Sequence, residues 1–229
     1  MRSKLAEYND PRLSRAFITK QGASGKEQAP GTADNAVYAP NGSPEQGTSK
    51  YGTSLFMYSI SAPTLLLSYH ELKFLEAEAL CRLGRDAKSA LKDAVVAGLL
   101  NAESSFSVSR KELGKTLINP ASSITDTEAE SYFDNTVEAK YTAEPLKTTM
   151  TQKYFALWGA SGEATESYND VRRMKGLGEN FIELKNPNSF PLRCPYGNSD
   201  TTTNAEVKAA YGNGQYVYSE NVWWAGGSR

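Results

Sequence analysis

Two glutamates on one predicted helix are the first residues whose spacing could support chemistry. Glu71 and Glu78 are two helical turns apart, which places them about 10.5 Å apart along the axis. Glycoside hydrolases hold their paired carboxyl groups closer, at roughly 6.5–9.5 Å in inverting enzymes and less in retaining ones. No second element is predicted to present a sugar between them. The spacing therefore favours pairing with arginines or backbone groups, and we predict that the protein is not an enzyme.

Other catalytic or metal-binding arrangements lack the residues they need. His70 is the single histidine, so no second imidazole or cysteine cluster supports a zinc site or a Ser-His-Asp triad. Its place among apolar residues predicts a packed histidine. Arg172 and Arg173 are adjacent and point about 100° apart on a helix, which favours separate ion pairs over one anion clamp. No Gly-rich loop lies between a strand and a helix, where it could hold a nucleotide. We therefore expect no cofactor, and the lack of ligand residues noted above leads us to expect no metal.

The composition excludes several classes of protein. The 25 basic and 26 acidic residues are well mixed and give a net charge of −1, so no basic block indicates nucleic acid. No run approaches the ~20 apolar residues of a membrane span. Met1–Lys4 leads into polar sequence without an apolar export signal, which at face value indicates a cytoplasmic protein. Cys81 and Cys194 are too few for a disulfide framework and are predicted to be small apolar fillers.

Apolar spacing predicts a helical hairpin. One helix runs from Pro63 to Leu83, Gly84 ends it, and a second runs from Asp86 to Ala102. The first helix carries two apolar stripes, so it should have neighbours on two sides, with an exposed apolar surface where one is absent. One stripe comprises Leu65, Tyr69, Leu72, Leu75, Ala79 and Leu83, and the other comprises Leu67, Phe74, Ala77 and Cys81. Inward positions predicted for the second helix are Ala87, Ala90, Leu91, Ala94, Val95 and Leu99.

Small residues favour a tetratricopeptide-like hairpin, and a generic helical hairpin is the alternative. The two helices of the hairpin are expected to approach each other closely at Ala77, Ala90 and Ala97. No second copy of the repeat appears, and a solenoid normally needs about three units, so an isolated unit predicts a fragment of a larger protein.

The remaining segments complete the prediction. Residues 1–60 form an arm and a long loop rich in Gly, Pro and Ser, residues 61–176 are helical, and residues 177–229 form an irregular wrap. Within the helical part, residues 103–125 are a Ser-rich connection and Thr125–Glu128 has the spacing of a capping box. Helices are predicted over 144–158 and 163–174. The fold class is therefore mainly α, with tetratricopeptide-like helix pairs of an α/α superhelix, long irregular loops and an irregular carboxy-terminal wrap.

Three blocks occur in a fixed order along the chain. The first comprises Tyr69, Glu71, Phe74, Leu75, Ala77, Glu78 and Ala79. The second comprises Gln152, Lys153, Tyr154, Leu157, Glu166, Tyr168, Asn169, Asp170, Arg172 and Arg173. The third comprises Phe190-Pro191-Leu192-Arg193-Cys194-Pro195-Tyr196, followed by Asn204 and by Val222-Trp223-Trp224. Together they resemble the carboxy-terminal half of the SusD/RagB family over most of residues 60–225, although His70 replaces the usual alanine.

The resemblance implies a function that the residues alone do not reveal. SusD/RagB proteins are surface lipoproteins of Bacteroidetes that capture glycans or other nutrients for a TonB-dependent transporter of the SusC type. It implies non-catalytic nutrient binding, most simply of a glycan, at the outer membrane surface. It also implies that residues 1–229 form a single domain belonging to a larger protein, whose lipid anchor is absent from this chain.

Within such a protein, the loop before the first long helix is the expected ligand site. Sugar rings stack on tyrosine while amide groups bind their hydroxyls, so we predict ligand binding by Tyr38 and Tyr51 with Asn35 and Asn41. The alternative is that these tyrosines only attach the loop to the helices.

A second functional hypothesis starts from Met1 as the true start of the protein. In that case the helix pair belongs to an intracellular tetratricopeptide-type adaptor that binds a partner peptide in its groove. An upstream export signal with a lipid-accepting cysteine would decide between the two hypotheses.

Overall fold

The computed structural model describes residues 1–20, 26–28, 52–183, 190–212 and 214–227. The chain divides into two compact units, Met1–Glu183 and Leu184–Arg229. Both units are built mainly from helices, so the predicted fold class is confirmed. The single-domain assignment for residues 1–229 stays a prediction. Among the described residues, no helix is both long enough and apolar enough to span a bilayer.

Seven α-helices and four short strands make up the first unit as described. The helices are α1 (Arg2–Glu7), α2 (Tyr69–Arg82), α3 (Lys88–Leu113), α4 (Asp126–Tyr132), α5 (Glu138–Ala143), α6 (Pro145–Leu157) and α7 (Glu166–Gly176). The strands are β1 (Phe17–Lys20), β2 (Lys26–Gln28), β3 (Thr53–Ser54) and β4 (Leu117–Ile118). They form one sheet in the order β3-β1-β2-β4, in which β1 is antiparallel to β2 and β3, and β2 is parallel to β4.

Helix α2 begins at Tyr69 and not at Pro63, which corrects the predicted start. The Ser68 hydroxyl accepts a 3.1 Å hydrogen bond from the Glu71 amide and satisfies a free donor of the first turn. This cap defines the start more strongly than a proline, which is only compatible with a first turn. Gly84, with φ +67°, follows the helix end as predicted.

The buried face of α2 differs from the longer predicted stripe. Its core residues are Phe74 and Ala77, which are fully buried. Five of the six members of the stripe are instead exposed. They are Ala79 and four larger residues, with exposed fractions of 60% for Tyr69, 53% for Leu72, 41% for Leu75 and 67% for Leu83. Leu67 of the other stripe is also exposed. The expected exposed apolar surface is thus present on α2, and the packed face is the one that combines Phe74 and Ala77 with polar residues.

Helix α3 packs against α2 and α6. All six predicted inward residues are buried. The helix continues to Leu113, so the predicted connection over residues 103–125 is wrong in its first half. Phe106 is fully buried and fixes this extension in the core, while the Ser109 hydroxyl donates to the Ser105 carbonyl at 3.0 Å. Helix α3 approaches α6 closely at Gly98, where a Cβ atom would lie 2.9 Å from the Ala156 Cβ. Ala97, where close approach to α2 is predicted, is only half-buried.

The later helices of the first unit agree with the sequence. The Thr125 hydroxyl accepts from the Glu128 amide at 3.2 Å and caps α4, as the capping box predicts. A π-helical turn over Phe133–Val137 joins α4 to α5. Helices α6 and α7 match the predictions within a few residues, with a 3₁₀ turn over Ser161–Thr165 between them.

The second unit is more regular than the predicted irregular wrap. It contains α8 (Asn198–Thr203), α9 (Ala205–Tyr211) and α10 (Tyr216–Ser219), followed by a 3₁₀ turn over Trp223–Ala225. The helices are too short to show a sequence period, which explains why the prediction missed them. Asn204 caps α9 by accepting from the Glu206 and Val207 amides at 3.0 and 3.3 Å.

Candidate ligand-binding cleft

Phe56 is the centre of an aromatic cluster in the first unit. It lies in a 3₁₀ turn over Leu55–Tyr58, where its amide donates to the Ser54 hydroxyl at 3.3 Å. Its ring centroid is 4.7 Å from that of Phe106 on α3 and 5.1 Å from that of Trp158. Trp158 also contacts Phe17 at 5.4 Å. The half-buried Trp158 therefore serves as a packing residue.

The turn after α6 lies directly against this cluster because it contains glycine. Gly159 has φ +82°, and a Cβ atom there would lie 2.6 Å from the Phe56 ring. Gly162 is packed as tightly against the Leu65 carbonyl oxygen. These contacts place the turn along one side of an opening. The 3₁₀ turn that contains Phe56 and helix α3 form two further sides of the same opening.

The opening is a cleft of about 420 Å³, which is within the size range of small-molecule sites. Its described lining residues are Phe56, Ser59, Ala62, Pro63, Leu65, Asn101, Ser104, Ser105, Gly159, Ala160, Ser161 and Ala164. All of them are uncharged. The cleft therefore offers apolar and hydroxyl or amide surface without an ionisable group.

Three polar side chains of the cleft are available to a ligand. Asn101 is half-buried, and its amide forms no hydrogen bond with another described residue. The hydroxyls of Ser105 and Ser161 likewise have no such hydrogen bond. By contrast, Ser59 and Ser104 donate to the carbonyls of residues 56 and 101 at 2.7 and 2.8 Å. An amide and two hydroxyls beside an aromatic ring can bind a neutral polar molecule, but they supply no general acid or activated nucleophile.

The predicted ligand residues Asn35, Tyr38, Asn41 and Tyr51 all lie outside the described residues. The assignment of the ligand site to them stays a prediction. The sequence pattern does not identify the residues of the cleft. Asn101 lies at the end of a predicted helix, and Ser104 and Ser105 lie in the predicted connection. The available signal is that the polar residues Asn101, Glu103, Ser104 and Ser105 follow directly after the apolar stretch 95–100.

Glu78 is held in an ion-pair network and is not part of a catalytic pair. It accepts from Arg82 at 2.7 Å and from Arg173 at 2.8 Å, and Arg173 also donates to Asp170 at 2.7 Å. Burial alone would raise the pKa of Glu78, but the hydrogen bonds from both arginines outweigh it and lower that pKa. Arg172 lies separately over the Tyr168 ring, at 5.6 Å from its centroid. The two arginines thus have different partners, as their angular separation on the helix predicts.

Glu71 takes part in a second buried group of charges. The Lys153 ammonium is 2.8 Å from an Asp170 oxygen and 3.7 Å from a Glu71 oxygen, and all three residues are at least nine-tenths buried. Burial raises the pKa of Glu71, and the Lys153 charge opposes this rise. The charges neutralise one another inside the helical core, which favours a structural role for these residues.

His70 is buried next to one carboxylate. Its Nε2 atom lies 3.7 Å from a Glu163 oxygen and 3.3 Å from the Ser68 hydroxyl. The other Glu163 oxygen accepts from the Ser68 amide. Burial lowers the pKa of His70 despite the nearby carboxylate. Since serine and glutamate both face the same ring nitrogen, the group is not a catalytic triad. No cluster of potential metal ligands is found in the part of the chain that the structure describes.

Comparison with known proteins places the chain in a family. Residues 1–196 match the family model of SusD-like proteins, described as starch-binding and associating with the outer membrane. The chain belongs to the SusD-like family.

A solved structure agrees with this membership. It is a SusD/RagB family protein from Bacteroides thetaiotaomicron, to which the chain is 65% identical, with a TM-score of 0.89. The match covers 100% of this chain and 49% of that protein, so the chain spans about half the length of its solved relative. The comparison with curated proteins found no match. The family resemblance of the three sequence blocks is therefore confirmed.

Proposed function

We propose that this SusD-like protein binds a nutrient glycan without cleaving it, at the outer membrane surface, and delivers it to a SusC-type TonB-dependent transporter. The match of residues 1–196 to a starch-binding, outer-membrane-associated family carries this proposal. The uncharged cleft beside Phe56 supports it, because sugar hydroxyls pair with amide and hydroxyl groups and need no titrating residue. The proposal includes attachment to the membrane through a lipid anchor.

Titration of the chain with starch-derived maltooligosaccharides tests the binding step. In the cleft, Asn101→Leu removes the free amide while nearly conserving its volume, so affinity should fall about 3- to 10-fold, as for one lost neutral hydrogen bond. Asn169→Leu is the matched control, because the Asn169 amide is exposed on α7 and donates to Glu166 at 3.2 Å. It should leave affinity unchanged.

The outcomes separate the function from its location. Absence of binding to any oligosaccharide or peptide nutrient, with no transporter co-purifying, would contradict the function. If Asn101→Leu does not weaken binding, the proposed function stands, but the binding site lies outside the cleft. Chromatography of the sugar after prolonged incubation tests the non-enzymatic part, since shortened oligosaccharides would contradict it.

We also propose that residues 1–229 act as one domain of a larger SusD-like protein. The 49% coverage of the solved relative supports this, as does the exposed apolar face of α2 at Leu72 and Leu75. Intact mass measurement of the protein from its native cells tests the proposal. A mass near the 25.0 kDa of this chain would contradict it.

A further inference from the structure

The second unit contains an arginine surrounded by three tyrosines. The Arg193 guanidinium carbon lies 5.2 Å from the ring centroid of Tyr196, 5.3 Å from that of Tyr216 and 6.0 Å from that of Tyr211. These distances are in the range of cation–π contacts. The rings also contact one another, with centroids 4.7 Å apart for Tyr196 and Tyr211 and 4.9 Å apart for Tyr211 and Tyr216. We name this group the tyrosine cage.

The segment that carries Arg193 is fixed on both sides. The Leu192 amide donates to the Val217 carbonyl at 2.8 Å, and the Tyr196 amide donates to the Tyr216 hydroxyl at 2.6 Å. Both partners belong to α10. The guanidinium is therefore held in position before any ligand arrives, which reduces the ordering entropy that binding would otherwise have to overcome.

The charge of Arg193 is not neutralised within the described part of the unit. Its Nε atom is buried and donates to no acceptor, and no hydrogen bond or ion pair from its terminal nitrogens is found there. The residue as a whole is half-buried. An arginine usually places its donors on carboxylates or carbonyl oxygens. Tyrosine faces stabilise the cation, but they leave the in-plane N–H groups without acceptors.

The geometry points to a subsite for the carboxylate of an acidic sugar, such as a uronic acid. Two terminal N–H groups of Arg193 match the two oxygens of a planar carboxylate. Tyr196 is 40% exposed, so one ring of the cage can also present its face to a sugar. The inference rests on the proposed function in that the ligand is taken to be a sugar. This subsite differs from the cleft because its ligand must carry a negative charge.

Two disaccharides that differ only in charge test the inference on the whole chain. Digalacturonate carries carboxylates where galactobiose carries neutral hydroxymethyl groups. We expect digalacturonate to bind about 10- to 100-fold more tightly, the range of one hydrogen-bonded charge pair. Arg193→Gln should abolish this preference and leave galactobiose binding unchanged. Arg172→Gln is the matched control, since it removes an arginine that lies on a tyrosine in the first unit.

A measurement on the unaltered protein covers the case in which Arg193→Gln does not fold. Phenylglyoxal modifies accessible arginines, and mass spectrometry reports each site. Digalacturonate should protect Arg193 and leave Arg172 reactive. No protection, or equal protection of both arginines, would overturn the inference.

The remaining outcomes distinguish this inference from the proposed function. Equal binding of the two disaccharides, or equal effects of Arg193→Gln and Arg172→Gln, would overturn the acidic subsite alone. Binding of maltooligosaccharides without any binding of digalacturonate would do the same. Failure of every sugar to bind would contradict both the subsite and the proposed function.

Discussion

Substitution of Gly159 by alanine tests whether the turn after α6 is fixed by its contact with Phe56. Three effects act at this position, two destabilising and one stabilising. A side chain at φ +82° is strained by ~1–2 kcal/mol, and a Cβ atom 2.6 Å from the ring forces the ring to move. Phe56 is held between Phe106 and Trp158, so overpacking should add ~1–3 kcal/mol. The lower entropy of the unfolded alanine variant offsets about 0.4–1 kcal/mol.

Gly84→Ala is the matched control for the backbone effect. Gly84 has φ +67°, and nothing lies within 4 Å of a Cβ atom there. Urea unfolding of both variants should show Gly159→Ala to be less stable than Gly84→Ala by ~1–3 kcal/mol, which is the overpacking contribution. A difference below about 0.5 kcal/mol, the usual error of comparing independent sites, would refute the described contact between the turn and Phe56.

Two further predictions concern buried charges. Lys153→Met leaves the Asp170 and Glu71 carboxylates buried without their cation, so the free energy of unfolding measured in urea should fall by ~3–5 kcal/mol. The control Lys147→Met removes an exposed ion pair with Glu144 and should have little effect. Equal losses of stability in the two variants would contradict the core ion pair. Burial lowers the pKa of His70, so the unfolded chain binds the proton more readily and stability should fall as the pH drops below the ordinary histidine value of about 6.5. In His70→Gln, the urea midpoint of unfolding should therefore fall less between pH 7.5 and pH 5 than in the unaltered protein. The same pH profile in both proteins would contradict the burial of a neutral His70.

Helix α3 shows how far local sequence pattern can be trusted. Each of its predicted inward residues is buried, because helical periodicity depends only on spacing along the chain. The Thr125 cap of α4 is another local feature, since the capping hydroxyl and its amide partner are three residues apart. The serine-rich extension of α3 was missed because serine is a weak helix former, and burial of Phe106 in the core outweighs that preference.

The amino-acid sequence by itself determined the helix pair, the inward face of α3, the Thr125 cap of α4 and the resemblance to the SusD/RagB family. Tertiary structure decided which stripe of α2 is buried, because both stripes have helical spacing and only contacts with α3 and α6 select Phe74 and Ala77 over Leu72 and Leu75. It also brought Phe56 against Gly159, and Tyr211 and Tyr216 against Arg193. These contacts join residues distant in the chain, and no local period or propensity encodes such a meeting.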